Sequence, residues 1–479
     1  MSNMSTMPKI AIIGAGMGGS LVALYLARLG YQVEVYERRQ DMRKEPVARG
    51  KSINMTLAQR GLDALAGVGL LDAVMDNTIP LRGRMIHGLD GSRTFQPYGK
   101  NDHEAIHSIK RSTLNTTLMD ASQPFPNVKM FFNKRCLRVD TENSTLHFKD
   151  EETGELESVK ADFIIGADGA FSTVRQQMHR GVRANYKQDF LDWGYKELNI
   201  PQAADGSHLM ESDALHIWPR GDHMLLAMPN PDGSFTCTCI LPFEGDRSFA
   251  SLRTSEDVFS LFKEWFSDAI PLMPTLSEDF FNNSTVEMIT THTQPWYFKD
   301  RVVLIGDACH AVVPFYGQGM NAAFEDCAVL SECLTRSNGN LEETFAEYQN
   351  LRKRNTDVLA ELSKQNFVEL RKKVKSPFFV ARKKVDVALN RILPEVWIPL
   401  YTMVSHTSMP YADAVERFRK QNRIARLLGI DVVLLVVATG LAAWGLARNF
   451  RNKAKRKPLI RLALRPPFSP TVTSAETPE

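Results

Sequence analysis

An α/β fold is predicted for this chain: a Rossmann-like nucleotide-binding domain with an inserted β-sheet domain, followed by a helical C-terminal region and one transmembrane helix. Three observations predict it. A glycine fingerprint lies between two apolar strand patterns at the N-terminus. A second element of apolar strand, glycine loop and helix returns almost three hundred residues later. An apolar run of about 20 residues lies near the C-terminus, long enough to cross a hydrocarbon layer. The boundaries read as 1–190 for the nucleotide-binding domain and 191–295 for the sheet-rich domain. Residues 296–335 return to the first domain, 336–425 are helical, 426–448 form the membrane helix and 449–479 a basic, disordered tail.

The N-terminal unit is explicit. Lys9 to Gly14 is a short buried strand, Gly14-Ala-Gly16-Met-Gly-Gly19 follows, and Ser20 to Leu29 carries helical spacing of leucine and alanine. Tyr31 to Glu37 is a second strand ending in an acid. Gly14 makes the turn, Gly16 lets the backbone approach a pyrophosphate, and Gly19 lets the helix pack close. Glu37 suits ribose hydroxyls and repels a 2′-phosphate, so the site favours FAD or NAD over NADP. Ala161 to Gly169 is another apolar strand, closed by Asp168-Gly169. From Asp192 to about Ile289 the chain is rich in strand patterns, and from Asn321 onward the pattern is helical, interrupted by Pro377, Pro394 and Pro399.

The segment Arg301 to Asn321 reads as a buried strand, Val302 to Ile305, turning sharply at Gly306-Asp307. A loop broken by Pro314, Gly317 and Gly319 then opens into a helix near Asn321. A glycine loop feeding a helix start is a place to hold negative charge, because the first N–H groups point outward and the dipole is positive there. Together with the N-terminal fingerprint, it implies one long cofactor gripped at both ends.

Composition sets the surroundings. The 479 residues suit two domains with accessories, and a net charge of +3 says little about partners. The six cysteines show no zinc spacing and no framework density, so buried thiols in a reducing compartment are expected, with no metal. No module for nucleic acid is present in the pattern. Leu427 to Ala447 is apolar apart from Asp431 and Thr439, with Arg423 and Arg426 before it and basic residues from Arg448 through Lys457 after it. A buried core helix is the alternative reading, and charges on both sides leave orientation open. The basic segment 371–384 reads as a solvated face or a contact with anionic lipid headgroups.

The fingerprint, Asp168-Gly169 and Gly306-Asp307, in that order, resemble the class A flavoprotein hydroxylases. Arg49-Gly-Lys-Ser-Ile-Asn54, Arg84-Met-Ile-His87, Pro97-Tyr-Gly99, Pro314-Phe-Tyr-Gly-Gln-Gly-Met-Asn321 and Ile398-Pro-Leu-Tyr-Thr-Met-Val404 are similar to the kynurenine 3-monooxygenase family. The match runs from the first strand to the apolar run. It implies a glutathione-reductase-type FAD domain and hydroxylation of L-kynurenine to 3-hydroxykynurenine with NADPH and O2 through a flavin hydroperoxide. It further implies a place in tryptophan degradation and NAD synthesis, and an anchor in the mitochondrial outer membrane with the catalytic domain facing the cytosol.

By the same resemblance Arg84, Tyr98, Asn366 and Tyr401 surround the substrate with Glu369 nearby, and Arg111, Gly306, Asp307 and Asn321 hold FAD. Gly14, Gly16, Gly19, Glu37, Asp168, Gly319 and Met320 complete the cofactor set. Arg84 offers a fork of donors to the substrate carboxylate, Glu369 meets its ammonium, and Phe243, Phe315 and Tyr316 wall its ring. No acid or base is assigned, since an aniline ring is already activated ortho to its amino group; His310 reads as a packing histidine. Two positions depart from the family: Tyr316 stands where many members have Phe, and Lys51 where they have Arg. A membrane-attached epoxidase or reductase acting on lipid, and a non-catalytic flavin-fold scaffold, are the competing readings.

Overall fold

The computed structural model describes residues 7–44, 53–99, 101, 104–337, 339–373 and 377–427. Residues 1–424 make one unit and 425–479 a second, of which only the first three residues are described. The membrane-helix candidate therefore lies, apart from Arg426 and Leu427, outside the described residues, as do Lys51, most of the 49–54 motif and the C-terminal tail. Among the described residues no helix is long and apolar enough to cross a membrane.

The nucleotide-binding sheet has six strands. Lys9–Ile13 sits centrally between Gln32–Tyr36 and Phe163–Gly166, with Val128–Phe131 beyond the first and Val302–Leu304 beyond the second, all parallel. Tyr297–Phe298 closes one edge antiparallel. Lys9–Ile13, Phe163–Gly166 and Val302–Leu304 are short and largely apolar because both faces of the sheet are covered, among the covering elements being the three-stranded sheet of Lys134–Asp140, Thr145–Asp150 and Leu156–Lys160, whose Phe148 stacks on Tyr36. The return of residues 302–304 to the side of 163–166 brings Gly306 to the same end of the sheet as the fingerprint.

The second sheet has seven strands, mostly antiparallel, ordered Val286–Gln294, Asn185–Ile200, Phe235–Pro242, His223–Pro229, Ala214–Arg220, Gly83–His87 and Arg93–Pro97. Two of its strands thus come from residues 83–97, well before the 191–295 stretch. One face, with Leu198, Trp218, Leu225, Cys237, Cys239 and Leu241, packs beneath the helices Ser255–Trp265 and Leu276–Asn282. The other face, with Ile86, Leu215, Ile217, Leu226 and Ile240, meets Val313, Phe315 and Phe367. Strand alternation divides the two faces cleanly. Cys237 and Cys239 share the helix-covered face, and all six cysteines are free thiols.

The C-terminal helices lie over the junction. Leu341–Val368 passes into a π-helical turn, Glu369–Lys373, and Leu400–Ser405 and Tyr411–Leu427 follow after Pro377–Ile392. Of the basic residues in 371–384, Arg371 and Arg382 have described side chains, and both are partnered within the protein. Arg371 stacks on Trp193, 4.0 Å from the ring centre, and pairs with Asp222. Arg382 bonds Asp386 and Asn422.

Candidate active site

Two helix starts converge at the nucleotide-binding sheet, and both lack a protein cap. Met17–Arg28 and Gly319–Arg336 have no side-chain cap bond and no acid in the first turn, so their leading N–H groups remain available to an anion. At the first, Gly14 takes φ +104°, and a side chain there would strike the Ala167 carbonyl at 2.6 Å. A Cβ on Gly19 would meet the Gly14 carbonyl oxygen at 1.9 Å, whereas one on Gly16 would meet nothing within 4 Å. Gly14 and Gly19 are thus required by packing, whereas the space beside Gly16 is left open by the protein.

Glu37 is buried at the end of its strand, accepting from Ala15 N at 2.9 Å and from Arg39 Nε at 2.7 Å. Burial pushes its carboxyl up, but the Arg39 bonds outweigh that and hold it below the usual range. Asn115, on the helix Arg111–Ser122, donates to the Ala15 carbonyl at 3.1 Å. Arg111 is exposed at the start of that helix. Asp168 is turned onto protein: Ser172 Oγ at 2.5 Å, Thr173 N at 2.6 Å and Val174 N at 3.1 Å all donate to it. It caps the helix Thr173–Arg180 and so shapes the loop through Gly169.

The second cradle is fixed from beneath by a buried ion network that sequence reasoning missed. Asp326 is fully buried and accepts from Gly306 N at 2.9 Å, His310 Nε2 at 2.5 Å and Arg352 Nε at 2.7 Å. Burial raises its carboxyl, yet His310 and Arg352 hold it lower than usual. His310 packs at a tilt against Trp296, with ring centres 5.2 Å apart, so it is a structural partner of the loop. Cys309 lies close to His310 and Asp326, but its thiol donates to the Gly306 carbonyl at 3.2 Å. The signal in the sequence is an acid on an otherwise apolar helix face, too common to single out.

Asp307 is exposed at the loop, while Met320 is buried at the helix start. Asn321 is fully buried and works by positioning. Its amide donates to the Thr56 and Gly317 carbonyls, each at 2.8 Å, and its Oδ1 accepts from Ala58 N at 2.9 Å. Strand Asn54–Leu57 is thereby tied to the helix start.

On the inner face of the second sheet, Arg84 is buried beside Tyr98 and Tyr401. Its Nε reaches the Tyr98 hydroxyl at 3.4 Å, and its guanidinium lies 5.2 Å from the centre of each ring. The Glu369 carboxylate is near enough to be felt by both Arg84 and Tyr316. The strand begins at Gly83, so Arg82 stays outside it, exposed near Asp213. Tyr401 stacks on Tyr98 and Tyr316, at 4.9 and 5.9 Å between centres. Burial pushes the phenols of Tyr316 and Tyr401 up, so both are protonated donors at neutral pH. Asn366 donates to the Phe315 carbonyl at 2.7 Å, and Phe315 stacks on Phe367 at 4.2 Å.

Phe243 is not part of this wall. It falls on the same alternation as Cys237, Cys239 and Leu241, and packs near Phe249 and Gly194 on the helix-covered side. Strand register places it on the face opposite Arg84.

Together the uncapped helix starts, the open position at Gly16 and the Glu37 carboxylate fit an elongated dinucleotide such as FAD. The FAD binding domain family matches residues 7–354. Kynurenine 3-monooxygenase of Salinispora tropica is 47% identical over 94% of this chain and 99% of its own. Those of Flavobacterium johnsoniae and Dictyostelium discoideum are 45% and 40% identical over 88% and 85% of this chain, covering 94% and 89% of theirs. Among solved structures, 2-methyl-3-hydroxypyridine-5-carboxylic acid oxygenase superposes with a TM-score of 0.63 at 22% identity, covering 78% of this chain and 95% of its own. A probable FAD-dependent monooxygenase from Pseudomonas aeruginosa gives 0.62 at 19%, covering 76% and 97%. The fold and the cradle are those of an FAD-dependent monooxygenase. Within that class, the chain belongs to the kynurenine 3-monooxygenase family.

Proposed function

We propose that the enzyme hydroxylates L-kynurenine at ring carbon 3: kynurenine, NADPH, a proton and O2 give 3-hydroxykynurenine, NADP+ and water. The observation that carries the substrate is Arg84, a buried guanidinium in an aromatic box, its Nε on the Tyr98 hydroxyl. Bringing such a group out of water is costly unless acceptors meet its fork of donors. A free carboxylate on an otherwise planar aromatic substrate does so.

FAD, when bound, activates dioxygen and delivers one oxygen atom to the ring. The chain's own residues bind, orient and exclude water. Arg84 and the Tyr98 hydroxyl take the carboxylate, and the charge of Glu369 suits the ammonium. Phe315, Tyr316 and Tyr401 hold the ring toward the Gly319 helix start, whose dipole suits the anionic pyrimidine end of reduced flavin. A lipid-directed enzyme would want an apolar tunnel here, and Arg84 speaks against one.

NADPH oxidation is to be followed with and without L-kynurenine, with identification of the product. Stimulation by kynurenine and recovery of the 3-hydroxy product is expected; no stimulation of FAD-loaded protein would overturn the reading. For the apolar run Leu427–Ala447, we propose a membrane anchor, with the outer mitochondrial membrane as its site by family resemblance. Its length and lack of charge support this. Fractionation of the full chain against one ending at residue 426 tests it, and equal solubility would count against it.

A further inference from the structure

We infer that Arg60 is a positioning residue that sets how tightly oxidation of NADPH is coupled to hydroxylation. It does so by fastening the segment bearing Tyr401 to the helix that also anchors the Gly319 cradle. The inference rests on the substrate reading above.

Arg60 sits on the helix Gln59–Gly67 and is almost wholly buried. Its Nη1 donates to the Val404 carbonyl at 2.9 Å and the Thr407 carbonyl at 3.2 Å, and its Nη2 to the Met409 carbonyl. Val404 belongs to the last turn of Leu400–Ser405, where carbonyls have no partner within the helix. One guanidinium therefore gathers the end of the Tyr401 helix and the turn that follows it. Its Nε faces Glu325 Oε2 at 3.4 Å, and the Tyr411 ring covers it 3.8 Å from the ring centre.

The same helix grips the cofactor side. Ala58, its N-cap, donates to Asn321 Oδ1 at 2.9 Å. The Tyr411 hydroxyl donates to Gln318 Oε1 at 3.0 Å, directly before the Gly319 helix start. Ser408 Oγ also donates to Asp63, one turn along the helix from Arg60. The substrate wall and the cofactor helix are thus referenced to one rigid element, two residues apart. If the wall loosens, the ring moves away from the reacting position and water enters, so reducing equivalents end in peroxide instead of product.

The test uses the full FAD-loaded chain and the variants Arg60→Lys, Arg60→Met and Tyr411→Phe. Measured are FAD content, KM for kynurenine, product formed per NADPH oxidised, and hydrogen exchange of residues 400–411. Arg60→Met should raise KM about tenfold and lower product per NADPH about twofold or more, with FAD content unchanged. Exchange in 400–411 should quicken while that in 9–36 does not. Arg60→Lys should recover part of the coupling, because an ammonium reaches fewer of the three carbonyls. Tyr411→Phe, which keeps the ring and removes one hydrogen bond, should shift coupling in the same direction by less. If Arg60→Met fails to fold, Arg60→Lys and Tyr411→Phe decide, and unchanged coupling in both overturns the inference. A folded Arg60→Met with parental KM and coupling overturns it as well. Failure of kynurenine to stimulate the parent enzyme would instead remove the substrate reading on which it stands.

Discussion

Tyr98 and Tyr401 lie nearly parallel, ring centres 4.9 Å apart at 14°, although one follows a sheet strand and the other comes from a C-terminal helix. Arg84 faces both rings from 5.2 Å. This pairing closes the proposed carboxylate subsite, and it is maintained only if two distant parts of the chain are held in register.

Arg84→Met should raise KM for kynurenine about 10- to 100-fold, since a charge-assisted bond is worth about 1.5–3 kcal/mol. FAD content should stay normal, because Arg84 is in the second sheet and the cradle is in the first. Measured flavin per protein separates the two; loss of flavin in the variant would move Arg84 out of the substrate subsite.

Asn366→Ala should weaken kynurenine binding by about 1–3 kcal/mol, because the buried Phe315 carbonyl loses its donor and the aromatic wall shifts. Titration of kynurenine against flavin absorbance checks it. Unchanged affinity would show that the wall does not depend on this bond.

Asp326→Asn should destabilise the fold by about 3 kcal/mol or more and reduce FAD retention. It removes the charge that His310 and Arg352 face in a buried site and alters the acceptor for Gly306 N. Thermal unfolding with and without added FAD reads both effects; a variant as stable as the parent would rule out the network as the foundation of the loop.

Acid should weaken the second sheet in a defined window. His216 is fully buried, bonded to His87 and to the Glu211 carbonyl, and burial pushes its pKa down to about 4 from an ordinary 6.5. Between those values the unfolded chain binds the proton and the folded chain does not, so stability rises with pH across the interval. The contribution is fully present above about 6.5 and is lost progressively down to about 4, up to about 3 kcal/mol. Melting temperatures of the parent and His216→Gln from pH 7.5 to 4.5 test this; equal pH slopes would exclude His216 as the source.

Much of the cofactor site was legible because its signals are local. Gly14, Gly16, Gly19, Glu37 and Gly306 each answer to a turn, a close approach or a strand end within a few residues. Arg84 was legible only through a family motif, since an arginine on a strand looks the same whether exposed or buried. Phe243 was misplaced for a physical reason: period-two alternation tells which residues share a face, but not which face meets the ligand. Asp326 was invisible because its three partners come from separate elements.

The sequence by itself determined the nucleotide-binding unit, the returning strand and glycine loop, and the family, since these depend on backbone requirements of short segments. Only the tertiary structure decided that strands 83–97 join the sheet of residues 185–294, and which of its faces meets Phe315. It also decided that Arg60 reaches the 404–409 turn. Those relations are set by strand register and helix packing between residues hundreds of positions apart, which no local pattern encodes.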